Sequence, residues 1–131
     1  MACPCRTEVA HEKATYQWSK RAINAYVAHE ALPLLKKGIR INATLPGPTD
    51  TPLAQANKDT WLGFASDFRS EAGIDAASAM EQAYPLAFLC SDAAASITGI
   101  TLVTDSGYVS AGLTGAFPPA VETVKYLCGR V

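Results

Sequence analysis

Apolar side chains recur along the chain with two periods. Ala22, Ile23, Tyr26, Val27 and Ala31 fall three or four residues apart, the spacing of one helical face. Thr15 stands before that run as an N-cap and Gly38 behind it as a stop, so a long helix is expected between them. Pro33 cannot donate to the carbonyl of His29, which should kink or tighten the helix near Leu32 before Lys36 and Lys37 complement its C-terminal dipole. His29 has no indicated partner and reads as a surface or interface residue and not a ligand. Residues 39–45 are β-branched and apolar, a strand ended by Pro46-Gly47. Trp61, Phe64 and Phe68 are spaced for one face of a single helix. Ala83, Leu86, Ala87, Phe88 and Leu89 define a second, more buried helix over residues 80–91, with Pro85 acceptable only near its first turns. Residues 100–104 make the second strand, and Asp105-Ser106-Gly107 turns the chain. Residues 109–131 read as a tail interrupted by Gly112, Gly115 and Pro118-Pro119, with a short helix over residues 121–127.

A strand, a crossover helix and a second strand predict a right-handed parallel α/β unit. Two strands alone leave an apolar face and two edges unsatisfied, so a solitary monomer would be marginal. Another strand is expected beside residues 39–45. Composition narrows the class further. Hydrophobic residues at 49% against 18% charged suit one globular domain of 131 residues, and a net charge of -1 offers no basic footprint for nucleic acid or an anionic membrane. No apolar run approaches the ~18 residues of a membrane span, and residues 1–6 lack the apolar core of a signal peptide, so the chain is read as cytoplasmic. Cys3 and Cys5 with His11 do not complete a tetrahedral metal set, and no metal is expected. Cys90 and Cys128 suit free thiols.

The chemistry-bearing stretch is Thr15-Tyr16-Gln17-Trp18-Ser19-Lys20. On a helix, Tyr16 and Lys20 share one face a turn apart. An ammonium beside a phenol favours the phenolate, and one charge at ~4 Å with an effective dielectric of ~20 contributes up to ~4 kcal/mol before desolvation. The pair is therefore suited to proton transfer. A second candidate is the loop 46–51, which lies at the carboxyl end of a strand, where open parallel sheets collect ligands. Two prolines and a glycine fix its backbone, and Thr49 and Thr51 offer hydroxyls and amides. By local sequence alone it could equally be a rigid turn without a ligand.

Taken in order, Tyr16-x-x-x-Lys20, Gly38-Ile39-Arg40-Ile41-Asn42-Ala43, Leu45-Pro46-Gly47-Pro48-Thr49-Asp50-Thr51-Pro52, and Phe88-Leu89-Cys90-Ser91-Asp92 with Gly99 and Asp105-Ser106-Gly107 behind it resemble the C-terminal half of the short-chain dehydrogenase/reductase family. The resemblance implies the C-terminal portion of a Rossmann-like doubly wound parallel sheet, with the N-terminal dinucleotide-binding half absent. It implies NAD or NADP as cofactor and a small-molecule alcohol or ketone as substrate. Tyr16 would then be the general acid/base. Lys20 would lower the phenol pKa and hold the nicotinamide ribose, and Pro46, Gly47, Thr49 and Thr51 would face the nicotinamide and nearby phosphate. Trp61 and Phe64 would lie over the substrate, although packing against the body of the domain explains their spacing equally well. The long helix resembles one that packs between subunits, which implies a homo-oligomer.

The same resemblance marks what this sequence lacks. No Gly-x-x-x-Gly-x-Gly occurs, residues 1–14 contain no serine, and the family's asparagine element is absent. Ser106 stands where the family turn has a second glycine, which puts the local backbone geometry in question. The expected organisation is a single partial domain: a leader at 1–14, the site helix, strand and Pro-Gly loop at 15–50, a substrate lid at 51–78, helix and last strand at 79–107, and a tail at 108–131. The functional expectation is NAD(P)-dependent hydride transfer between an alcohol and a ketone or aldehyde, with the 131-residue chain alone inactive. The alternative is a catalytically inactive fragment acting as an interaction or dimerisation module.

Overall fold

A computed structural model describes residues 16–128. The expected N-cap at Thr15, the leader and its Cys3, Cys5 and His11 lie outside the described residues. Helix α1 spans Tyr16–Leu35 with Pro33 inside it. Gly38 ends the helical segment at φ 72, where Ile39 N donates to Leu34 O (3.0 Å) and Gly38 N to Leu35 O (2.9 Å). Those two bonds satisfy the carbonyls a helix end leaves open, and a left-handed glycine permits them.

Strand β1 is Ala43–Pro46 and pairs in parallel with β4, Thr101–Thr104, in the register Ala43↔Thr101 to Pro46↔Thr104. Parallel pairing agrees with the sequence; the extent of β1 does not. It begins four residues later than expected because residues 40–42 are engaged by the loop before β4 through side chains. Ile41 N donates to Thr98 Oγ1 (3.1 Å), Asn42 Nδ2 to Ile97 O (3.0 Å) and Ile100 N to Asn42 Oδ1 (3.3 Å). Pro46 closes the strand from inside and Gly47 N makes the next bond, to Thr104 O at 3.1 Å.

Between the two strands the chain makes an excursion whose ends are fastened together. Strand β2, Thr49–Asp50, pairs in parallel with β3, Ala77–Ser78. The excursion holds α2 (Pro52–Ala56), α3 (Lys58–Trp61) and α4 (Ser66–Ala72). Trp61, Phe64 and Phe68 thus do not share one helix, contrary to their spacing. Ala65 is left-handed (φ 54), and the Arg69 guanidinium takes the carbonyls of Phe64 (2.8 Å) and Leu62, which a continuous helix would have used internally.

Helix α5 spans Ala79–Cys90 and starts with a capping box: Glu81 N donates to Ser78 Oγ (3.2 Å) and Ser78 N to Glu81 Oε2 (2.7 Å). Two expectations about it need correction. Pro85 sits in its middle and forfeits the bond to the Glu81 carbonyl, and the helix is not buried: Leu89 is inside while Met80, Tyr84, Leu86 and Phe88 are exposed. Arg40 supplies its C-terminal cap, donating to Leu89 O (2.7 Å) and Ser91 O (3.2 Å).

The segment expected as a tail is folded. After a 3-10 turn at Asp92–Ala94 and strand β4 come α6 (Tyr108–Thr114), a second 3-10 turn at Pro118–Ala120 and α7 (Val121–Leu127), the last as the sequence predicts. Ala65, Tyr108, Phe117, Ala120 and Val124 form the buried cluster, with Phe68 packed against it. Gly112 is needed at the crossing of α6 and α7, since a Cβ there would lie 2.6 Å from Val124 Cγ2. The core therefore joins the excursion to the C-terminal helices and leaves α1 at its margin.

Candidate functional site

Tyr16 and Lys20 stand a turn apart on α1, and Lys20 Nζ lies 5.0 Å from the centroid of the Tyr16 ring. Ser19 Oγ donates to the Tyr16 carbonyl (2.7 Å), which steadies that first turn. Tyr16 is 58% exposed. Trp61, from the end of α3, meets its ring edge-on with centroids 5.9 Å apart and planes at 70°. Tyr16, Lys20 and Trp61 are thus gathered from distant parts of the sequence. Among the described residues no carboxylate pairs with Lys20.

The loop after β1 is rigid for reasons visible in its neighbours. Gly47 lies against Asp105, whose Cα would be 2.9 Å from any Cβ at position 47. Thr49 Oγ1 donates to Gly47 O (3.0 Å), and Thr51 Oγ1 accepts from Ala54 N (3.2 Å) as the N-cap of α2. The Thr51 hydroxyl proton is left over by that arrangement. Pro46 pairs with Thr104 at the end of the ladder. A depression beside the loop is walled by Gly47, Pro48, Phe68, Asp105 and Tyr108 among others, and neither Tyr16 nor Lys20 lines it. The helix-borne pair and the loop are therefore two clusters. Phe64 joins neither: its ring meets Tyr108 edge-on at 5.3 Å, an aromatic packing contact.

Gln82, which shapes this region, escaped the sequence reading. Gln82 and Thr104 tie α5 to the end of β4: Thr104 Oγ1 donates to Gln82 Oε1 (2.6 Å), and Gln82 Nε2 to Thr104 O (2.9 Å). Asp105, at the turn the sequence predicts, accepts from Gly107 N (2.9 Å) and Val109 N (2.8 Å), ordering the way into α6. Ser106 takes the left-handed conformation, φ 58, that a glycine would adopt without strain. Burial pushes the Tyr108 phenol above its ordinary pKa; a hydrogen bond with Thr123 opposes this, and the Asp67 and Asp105 carboxylates add to it. The Ser78 amide and hydroxyl hold the Glu81 carboxyl below its ordinary range. Among the described residues no cluster of His, Cys, Asp and Glu could hold a metal ion, no helix is long and apolar enough to cross a membrane, and Cys90 and Cys128 are free and exposed.

A strand, crossover helix and parallel strand define an α/β unit, and comparison with known proteins places it in a family. The family model described as enoyl-(acyl carrier protein) reductase matches residues 1–109. The 2,5-dichloro-2,5-cyclohexadiene-1,4-diol dehydrogenase of Sphingobium indicum is 34% identical over 96 residues, covering 72% of this chain and 38% of that protein. Among solved structures, gox2181 superposes with a TM-score of 0.60 at 29% identity, over 73% of this chain and 37% of the other. 4-Hydroxyisoleucine dehydrogenase complexed with NADH gives a TM-score of 0.53 at 27% identity, over 66% and 36%. The chain belongs to the short-chain dehydrogenase/reductase family of oxidoreductases and has its Rossmann-like α/β fold. It spans well under half the length of these relatives.

Proposed function

We propose that this chain carries the Tyr-Lys half of a site for NAD(P)-dependent hydride transfer between an alcohol and a ketone or aldehyde. The observation that carries this is the placement of the Lys20 ammonium 5.0 Å from the Tyr16 ring, with no carboxylate among the described residues competing for it. Tyr16 gives the proton to a carbonyl oxygen, or takes it from a hydroxyl, and Lys20 keeps a positive charge beside that transfer. A nicotinamide dinucleotide supplies or accepts the hydride when bound. Its fit to this chain rests on the uncommitted ammonium of Lys20 for the ribose and on the stiff loop of Pro46, Gly47, Thr49 and Thr51 for the nicotinamide side. Trp61, resting on Tyr16, is the substrate-side wall, while Phe64 packs on Tyr108 instead. The relative that acts on a cyclohexadiene diol makes ring alcohols the first substrates to try.

By itself the 131-residue chain is proposed to be inactive, because its sequence has no glycine-rich turn to receive a pyrophosphate. A second reading, an interaction or dimerisation module without catalysis, is favoured by the exposed apolar residues Ile23, Tyr26 and Leu32 on α1. Both readings include self-association through α1. One experiment separates them: the chain is joined behind the N-terminal part of the Sphingobium relative and assayed with ring alcohols and NAD or NADP. We expect turnover that Tyr16→Phe lowers by ~10²–10⁴ with an unchanged circular dichroism spectrum. Equal turnover by parent and Tyr16→Phe would overturn the catalytic reading.

A further inference from the structure

On α1, Arg21 makes a contact that reaches 105 positions along the chain. Its Nη2 donates to the backbone carbonyl of Tyr126 in α7. The guanidinium carbon lies 5.3 Å from the centroid of the Tyr126 ring and 5.9 Å from that of Trp18, one turn back on α1. Arg21 Nε is buried with no acceptor, while Nη2 is spent on the Tyr126 carbonyl. A planar guanidinium held between two rings and bonded to a carbonyl is fixed in plane and direction, which a lysine ammonium would not be. The other end of the tie is firm, because Val124, two residues before Tyr126, is fully buried in the core. Arg21 also follows Lys20 directly, and Tyr16 lies five residues before it.

We propose that Arg21 is a positioning residue that fixes the turn bearing Tyr16 and Lys20 to the C-terminal helix α7. The geometry of the proton-transfer pair then depends on residues about a hundred positions away. The functional meaning rests on the reading of Tyr16 given above; the tie does not. Trp61 touches Tyr16 at 5.9 Å and has no part in the Arg21 sandwich, so it reports on whether Tyr16 moves when Arg21 is changed.

The test uses the whole 131-residue chain with Trp18→Phe, which keeps a ring beneath the guanidinium and leaves Trp61 as the sole indole. In that background Arg21→Ala is expected to shift Trp61 emission and to speed amide exchange over residues 17–24 at least tenfold, with residues 108–114 changed less than twofold. Arg21→Lys, which keeps the charge without the planar fork, should recover less than half of both effects. Should Arg21→Ala fail to fold, Tyr126→Ala removes one ring and keeps the carbonyl and the core, and should move both signals the same way by less. Unchanged Trp61 emission with exchange over 17–24 within twofold overturns the tie; so does equal acceleration of both segments, which would mean a general loss of stability. A Trp61 response combined with full turnover of Tyr16→Phe in the joined enzyme would leave the tie standing and defeat the catalytic reading. Loss of turnover without a Trp61 response would do the reverse.

Discussion

Helix α1 and the C-terminal pair α6 and α7 are built on opposite terms. Among its described residues the helix that carries Tyr16 and Lys20 buries one, Val27, and exposes Ile23, Tyr26, Leu32 and Leu35. The C-terminal pair carries no residue assigned to chemistry, yet with Ala65 and the 3-10 turn it provides the buried cluster, and Phe68 packs against it. The buried cluster and the proposed proton-transfer pair are thus separated along the chain. Away from the contact of Arg21 with Tyr126, a substitution in one region should be readable without much contribution from the other.

The sharpest contrast comes from deleting one large side chain on each side. Phe117 is 6% exposed and meets Phe68 edge-on at 5.4 Å, so Phe117→Ala should destabilise the fold by about 3–5 kcal/mol. Ile23 is 49% exposed, and Ile23→Ala should change stability by less than about 0.5 kcal/mol. Urea unfolding of both variants decides the matter, and equal losses would dissolve the comparison. Gly112→Ala tests the same core from the opposite direction, by overfilling it. The added methyl meets Val124 and Ala120, and a loss of about 1–3 kcal/mol is expected in the same assay.

A smaller effect, of opposite sign, belongs to the turn that joins sheet and core. Ser106 is left-handed at φ 58, so Ser106→Gly should relieve strain and stabilise by about 0.5–1 kcal/mol after the added unfolded-state entropy, seen as a higher melting temperature. The smallest expected change is alkaline. Burial raises the Tyr108 phenol, so the fold favours its neutral form. That contribution is complete below the unfolded pKa near 10 and is lost as pH climbs through the folded value. Between pH 9 and 11 the parent should lose more melting temperature than Tyr108→Phe does.

What the sequence revealed and what it hid differ by the range of the interactions involved. Gly38 as a stop, the helix after Ser78, the parallel partnership of β1 with β4 and the i,i+4 pairing of Tyr16 with Lys20 follow from periodicity and from residues a few positions apart. The break at Ala65 needs Arg69 to claim two carbonyls, which no local propensity encodes. Gly112 and the Pro118-Pro119 pair read as interruptions of a tail. In the fold, the first is a notch for Val124 and the second starts the turn into α7. The site divides in the same way. The juxtaposition of Tyr16 with Lys20 was legible, while the contacts of Trp61 with Tyr16 and of Arg21 with Tyr126 span the chain and left no mark in any single stretch.

The two-residue ladder of β2 with β3 also sets how this fold can change. Because Thr49↔Ala77 and Asp50↔Ser78 hold the mouth of the excursion shut, the span between its ends is independent of what lies between them. Loop-closure entropy then rises by only about 0.6 kcal/mol for each doubling of length. Residues 55–62 contribute nothing to the buried cluster, so that arc can be lengthened or exchanged while the ladder, α4 and the C-terminal helices stay in place. Trp61 lies within the exchangeable arc and Tyr16 does not. Lineages that trade one such arc for another would alter what rests on the tyrosine while inheriting the tyrosine unchanged.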